Sequence, residues 1–175
     1  EELRLGDFIE RCREYFAGPG GDDAGPGTRA EPWATLAKAN ETLMPGDTAT
    51  FLPGTYAGAL SPRNSGRAGA SITYRSARPL GALLNGVQGG PAIALRGKQH
   101  IVLDGFHVKP TNGAWATITE CEDLAVRNCR MEDSRTAYAA FYVEKCRRVR
   151  ILHNTFTRQL LMRNDLILHG DMVDI

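Results

Sequence analysis

Apolar and polar residues alternate between Ile93 and Phe156 in a short pattern that occurs three times. Ile101-Val102-Leu103-Asp104-Gly105-Phe106-His107-Val108 is followed by Leu124-Ala125-Val126-Arg127-Asn128-Cys129-Arg130-Met131. Val149-Arg150-Ile151-Leu152-His153-Asn154-Thr155-Phe156 then completes the series. Each copy is apolar at its first, third and last positions, and the starts lie 23 and 25 residues apart (101 to 124, 124 to 149). A second register moves with the first: Ile93-Ala94-Leu95, Ala116-Thr117-Ile118, Phe141-Tyr142-Val143 and Leu166-Ile167-Leu168. A period of this size predicts a solenoid, and the period-2 alternation predicts strands. With no hairpin signal between copies, the coils are expected to stack in parallel. Leu95, Ile118, Val143 and Leu168 should form one inward column, and Leu103, Val126 and Ile151 another. Ser71–Ser76 and Ala82–Leu84 fit a shorter coil beneath them.

The chain before the repeats reads differently. Leu5, Phe8, Ile9, Cys12 and Phe16 fall close to one helical face, with Asp7 as a possible cap, so 1–16 is expected as an end-covering helix or strand, or else a loose leader. Residues 18–28 are a Gly/Pro loop. Its Asp22 and Asp23 do not have calcium-loop spacing, and Asx-turn bonding accounts for them. A helix is predicted from near Pro32, burying Trp33, Leu36, Ala37 and Leu43. Met44-Pro45-Gly46-Asp47 ends it, and Thr48–Leu52 is a strand. The expected organisation is a cap segment over 1–43 followed by coils over 44–175.

Composition narrows the class only modestly. The 175 residues suit one domain, and a net charge of +1 gives no global pull towards nucleic acid or membrane. No apolar run is long enough to span a bilayer, and no signal peptide opens the sequence. Four cysteines lack zinc-type spacing. Cys121 and Cys146 stand one repeat apart and are expected as stacked, reduced thiols, because parallel Cβ vectors suit a disulfide poorly.

Several motifs together resemble a known family. Gly21-Asp22-Asp23, Pro26-Gly27-Thr28, Pro32-Trp33-Ala34-Thr35-Leu36, Pro45-Gly46-Asp47-Thr48 and Pro53-Gly54-Thr55-Tyr56 are similar to the amino-terminal end of secreted right-handed parallel β-helix proteins. Ile72–Ser76 and Ile101–Phe106 continue that likeness in order. The chain from about Tyr15 onward therefore resembles the pectate-lyase-like superfamily. The resemblance implies an all-β, right-handed parallel β-helix (solenoid) with an N-terminal capping helix, and an extracellular setting. It also implies an acidic polysaccharide as partner. Because the matching residues are turn and core positions, it leaves open a lyase, a glycoside hydrolase or a non-catalytic surface module.

Candidate chemistry lies in the passages that follow the repeated strands, 109–114, 132–138 and 157–164, which stacking places on one side of the solenoid. They carry Lys109, Arg135 and Arg158 as candidate catalytic residues and Glu132 and Asp133 as candidate calcium ligands, with Asp165, next after the last passage, as the third ligand. β-Elimination on a uronate needs a cation against the sugar carboxylate and a base for the neighbouring proton. Calcium with a Lys or Arg base is what the resemblance implies. A hydrolase would need two carboxylates, for which Asp133 and Asp165 are the nominated pair. Arg127, Arg130, Lys145 and Arg147, with Arg148 and Arg150, form a basic group expected to face an anionic glycan. It lacks the interleaved aromatics of a single-strand nucleic-acid binder. The alternative for all of these is a solvated edge of ordinary ion pairs. His100, His107, His153 and His169 have no metal-ligand spacing. The closing residues 166–175 begin another coil without a capping pattern, so further coils or another chain are expected to cover that end.

Overall fold

The structure, a computed structural model, describes residues 12–136, 139–159 and 164–174, with side chains as far as 158. β1 (Glu14–Ala17) and α1 (Leu36–Thr42) come first. The next coil holds β2 (Thr48–Phe51) and β3 (Gly54–Ala57), and the one after it β4 (Ile72–Ser76), β5 (Ala82–Gly86) and β6 (Ile93–Arg96). β7 (Gln99–Asp104), β8 (His107–Val108) and β9 (Ala116–Thr119) follow. β10 (Glu122–Arg127), β11 (Arg130–Ser134) and the first half of β12 (Ala139–Leu152) make another coil. The second half of β12 leads into β13 (Thr155–Gln159) and β14 (Asn164–Asp174).

Every strand pairs in parallel with its counterpart one coil away, which makes a parallel β-helix with three faces. Face A stacks β1, β2, β4, β7, β10 and the end of β12. Face B stacks β3, β5, β8, β11 and β13. Face C stacks β6, β9, the start of β12 and the start of β14.

The predicted register is the observed one. Leu95 pairs with Ile118, Ile118 with Val143, and Val143 with Leu168. Tyr74, Leu103, Val126 and Ile151 form the second column, each no more than 2% exposed. Burial in columns lets each side chain pack against its neighbours above and below at strand spacing, about 4.8 Å. Cys121 and Cys146 stack as free thiols, with the Cys121 N–H donating to the Cys146 Sγ at 3.3 Å.

Three expectations near the N-terminus need correction or fall elsewhere. The end-covering element expected over 1–16, helix or strand, lies mostly outside the described residues, and at its end Glu14–Ala17 is a strand. Pairing with Thr48–Phe51 decides this, because the backbone groups of residues 14–17 find partners in the sheet. The later helix starts at Leu36, not near Pro32. Thr35 caps it by accepting from the Lys38 N–H (3.1 Å), and Asp23 fixes the cap by accepting from the Ala34 and Thr35 N–H groups and the Thr35 hydroxyl. The buried face is therefore Leu36, Ala39 and Leu43, while Ala37 is exposed and Trp33 packs on Tyr15 with ring centroids 4.4 Å apart. Asp22 makes the expected Asx turn to the Ala24 N–H.

The capping helix has a defined structural task. Leu60 is bridged in parallel to Ile93 at the start of face C, and α1 is tied to the residues on either side of it through Asn40. Asn40 supplies strand-like partners: its Nδ2 donates to the Ala59 carbonyl, its Oδ1 accepts from the Ser61 N–H, and its carbonyl accepts from the Arg63 N–H. Edge groups that would otherwise be open are thereby satisfied.

Corners between faces repeat as faithfully as the strands. Gly105, Asn128 and His153 turn the chain from face A to face B with φ of 78°, 55° and 55°. Gly97, Glu120 and Lys145 turn it from C to A with φ of 62°, 57° and 54°. Left-handed backbone at non-glycine residues costs about 1–2 kcal/mol each, so the coil geometry is imposed on these positions by the pairing around them. Asn154 helps hold its corner, accepting from the Cys129 N–H (2.8 Å) and donating to the Val126 carbonyl (2.7 Å).

Candidate functional site

The passages from face B to face C are built differently from the corners. After β8 the chain runs through Lys109, Pro110 and Thr111 to Gly113, whose carbonyl accepts from the Ser134 hydroxyl (3.1 Å) and the Arg135 N–H (3.0 Å). A Cβ on Gly113 would lie 2.0 Å from the Gly90 carbonyl oxygen, so only glycine allows these two passages to stack. Trp115 then drops into the core, 1% exposed, its Nε1–H donating to the Glu132 carbonyl at 2.9 Å. These contacts fix the backbone that carries Arg135.

On this scaffold Lys109, Asp133, Arg135 and Arg158 line one open groove of about 520 Å³, together with Thr55, Leu83, Asn85, Pro110 and Thr111. Asp133 sits between two cations: Lys109 Nζ lies 2.9 Å from its Oδ2 and Arg158 Nε 2.7 Å from its Oδ1. The Lys109 hydrogen bond, followed by the charge of Arg158, holds the Asp133 carboxyl below the usual carboxylate range. Arg135 has no ion-pair partner among the described residues and lines a second groove beside Gly90, Asn112, Thr117 and Tyr142 on face C. Asn85 Oδ1 is buried without a hydrogen-bond partner. A hydroxyl donor entering the first groove would satisfy it.

Glu132 lies next to this groove and is 7% exposed. His107 Nε2 is 2.8 Å from its Oε2 and Arg130 Nη2 is 2.6 Å from its Oε1. The His107 contact and then the Arg130 charge lower its pKa. Glu132 and Asp133 therefore both direct their oxygens at cations. Among the described residues no group of three or more His, Cys, Asp or Glu side chains converges as a metal site. As arranged, these two carboxylates do not fit a calcium ion. The side chain of Asp165, the third nominated ligand, lies outside the described residues.

The basic group separates across the surface. Arg127 belongs to face A, paired with Asp104 at 2.9 Å, and Arg130 to face B. Arg147 pairs with Glu122 at 2.7 Å beside the C-to-A corner, where Arg148 also binds Glu122 and Asp123. Lys145 occupies the corner itself, exposed. These side chains form no single strip for a ligand, because their pairings follow the repeat and not one outer face. Conversely, the sequence pattern placed Tyr142 only in an apolar column, weighed His107 only as a metal ligand and passed over Asn85. His107 stands 25 residues before Glu132, so the repeat step itself pointed to that pair.

Comparison with known proteins fits this architecture. A rhamnogalacturonan lyase superposes with a TM-score of 0.64 and 22% identity, over 79% of this chain and 40% of that protein. The likeness is one of fold, a parallel β-helix. The native GH136 lacto-N-biosidase of Eubacterium ramulus superposes with a TM-score of 0.50 and 12% identity, over 82% of this chain and 36% of that protein. In sequence, the uncharacterized protein YwoF of Bacillus subtilis (strain 168) is 29% identical over 110 residues, which is 59% of this chain and 22% of that protein. No protein-family model matches the chain. The chain thus spans less than half the length of each of these proteins.

Proposed function

We propose that this β-helix binds an acidic polysaccharide along the B-to-C edge and, where it is catalytic, cleaves it by β-elimination. The observation that carries this reading is that Lys109, Arg135 and Arg158 line one groove with a single carboxylate, Asp133, which pairs with Lys109 and Arg158. Three cations against one anion leave an electropositive groove, and Asn85 and Thr111 line it as hydrogen-bonding groups for sugar hydroxyls. The names of the two solved β-helices described above, a lyase and a biosidase, favour a carbohydrate as the ligand.

The roles follow from the pairings. Asp133 holds Lys109 and Arg158 in place, which preorganises their charge for a uronate carboxylate and for the enolate that forms from it. Arg135, without an ion-pair partner among the described residues, is the candidate base: once its guanidinium has given a proton to solvent, the neutral guanidine takes the proton next to that carboxylate. The C–H electrons become the ring double bond, and the bond to the neighbouring glycosidic oxygen breaks. The leaving oxygen then acquires a proton. An extracellular setting belongs to the same reading, as the natural place for such a substrate.

Ultraviolet absorbance of unsaturated uronates, screened with pectate, rhamnogalacturonan, alginate and chondroitin, tests the reaction. Absorbance that rises with the parent and not with Arg135→Ala supports elimination. Reducing ends without absorbance would support a hydrolase instead. Binding without either product supports the second reading, a non-catalytic glycan-binding module, which is favoured by the engagement of both described carboxylates, Glu132 and Asp133, in ion pairs.

A further inference from the structure

A third groove, of about 690 Å³, opens at the N-terminal end of face A, on elements that do not contribute to the B-to-C edge. Its floor includes Phe16, Leu52 and Pro53, and three arginines reach it from separate parts of the chain: Arg29 from the early loop, Arg75 from β4 and Arg78 from the segment after β4. One carboxylate, Glu14, answers them. Its Oε1 accepts from the Thr50 hydroxyl (2.7 Å) and from Arg75 Nη2 (2.5 Å), while Arg75 Nε donates to the same hydroxyl (2.9 Å). That network holds Arg75 in one orientation. Arg29 is held over the Phe16 ring, 5.8 Å from its centroid. Arg78 has no ion-pair partner among the described residues.

We infer that this groove is a separate binding subsite for an oxyanion carried on a sugar ring. Three guanidiniums against one carboxylate leave a surplus of two positive charges, which an anion would neutralise. Guanidinium donors match carboxylate and sulfate oxygens in pairs. The apolar floor offers a surface for the C–H face of a ring, and the volume lies within the range of small-ligand sites. That the anion sits on a sugar rests on the function proposed above. The anion site itself rests on these side chains alone.

NMR titration of the arginine Nε–H signals tests the inference, with sodium glucuronate as probe, glucose as neutral control and sodium sulfate as bare oxyanion. Glucuronate should shift the Arg29, Arg75 and Arg78 signals, glucose should not, and sulfate should bind more weakly than glucuronate. Arg29→Ala/Arg78→Ala should lose at least about tenfold in affinity at this site, since charge-assisted hydrogen bonds are lost from both guanidiniums. Arg135→Ala should leave these shifts unchanged. An unshifted Arg29–Arg78 set, or sulfate binding there as tightly as glucuronate, overturns the inference. So do shifts abolished by Arg135→Ala while the double variant retains them. Binding here with none at the B-to-C edge would instead sustain this site and defeat the edge as the primary glycan groove.

Discussion

The A-to-B corners and the B-to-C passages both turn the chain between faces and both hold left-handed residues in register, Asp133 and Arg158 among those of the passages, yet they carry different side chains to the surface. The corners are short and keep one left-handed residue at the same place coil after coil, at Gly105, Asn128 and His153. The passages are longer, and they collect Lys109, Asp133, Arg135 and Arg158 at one groove. A corner must satisfy the register of two faces at once, which leaves it little freedom. A passage needs only to deliver the chain to face C, so its surface side chains are released for other uses. The contrast explains why fold and candidate site occupy different turns of the same solenoid.

The largest effect should come from the residue that joins a passage to the core. Trp115→Ala removes a buried indole and its bond to the Glu132 carbonyl, and should cost about 3–5 kcal/mol in denaturant unfolding. A loss under 1 kcal/mol would mean that the passages do not depend on the core for their position. Next comes the column itself. Ile151→Ala should cost about 2–4 kcal/mol by the same measurement, and a neutral result would contradict the stacked register. At the corner, Asn154→Ala removes two backbone partners and should cost about 1–3 kcal/mol. Lys145→Gly has the opposite sign. Relief of a left-handed lysine should raise stability by up to about 1 kcal/mol, and unchanged glycan binding would mark Lys145 as a corner residue and not a ligand contact.

The smallest effect per residue is expected from the outer charge rows, and it depends on pH. Hydrogen bonds from Arg148, Lys109 and His107 lower the pKa of Asp123, Asp133 and Glu132 respectively. A carboxyl with a lowered folded pKa binds fewer protons in the native state than in the unfolded one. Its contribution is therefore present above the ordinary carboxylate pKa of about 4 and is lost as pH falls through the lower folded value. Thermal midpoints should drop on acidification below about pH 4, and the drop should shrink in Asp123→Asn. An unaltered acid profile in that variant would show that the row adds nothing.

Much of the fold was legible because one step, 23 or 25 residues, recurs in everything the coils must align. Apolar residues at that step identified the inner columns, Leu103 with Val126 with Ile151. The same step also sets the outer charges: Asp104 meets Arg127 across 23 residues, and Asp123 meets Arg148 and Asp133 meets Arg158 across 25. Reading the step for hydrophobicity alone made Arg127, Arg130 and Arg147 look like one basic patch, when each is paired with a carboxylate. The N-terminal strand was harder to see. The spacing of Cys12 and Phe16 is compatible with a helix, and only pairing with β2, more than 30 residues on, selects extended backbone. The convergence of Lys109, Arg135 and Arg158 could be placed on one edge from the repeat. Asn85 and Tyr142 could not, because their part in the grooves comes from how the passages fold over the faces.

A binding isotherm with polygalacturonate decides whether the B-to-C edge takes an acidic polysaccharide. The parent should bind, with affinity falling as salt rises, and Arg135→Ala/Arg158→Ala should lose at least about tenfold at unchanged unfolding free energy. Equal binding by parent and double variant, or equal affinity for a neutral galactan, would contradict the account.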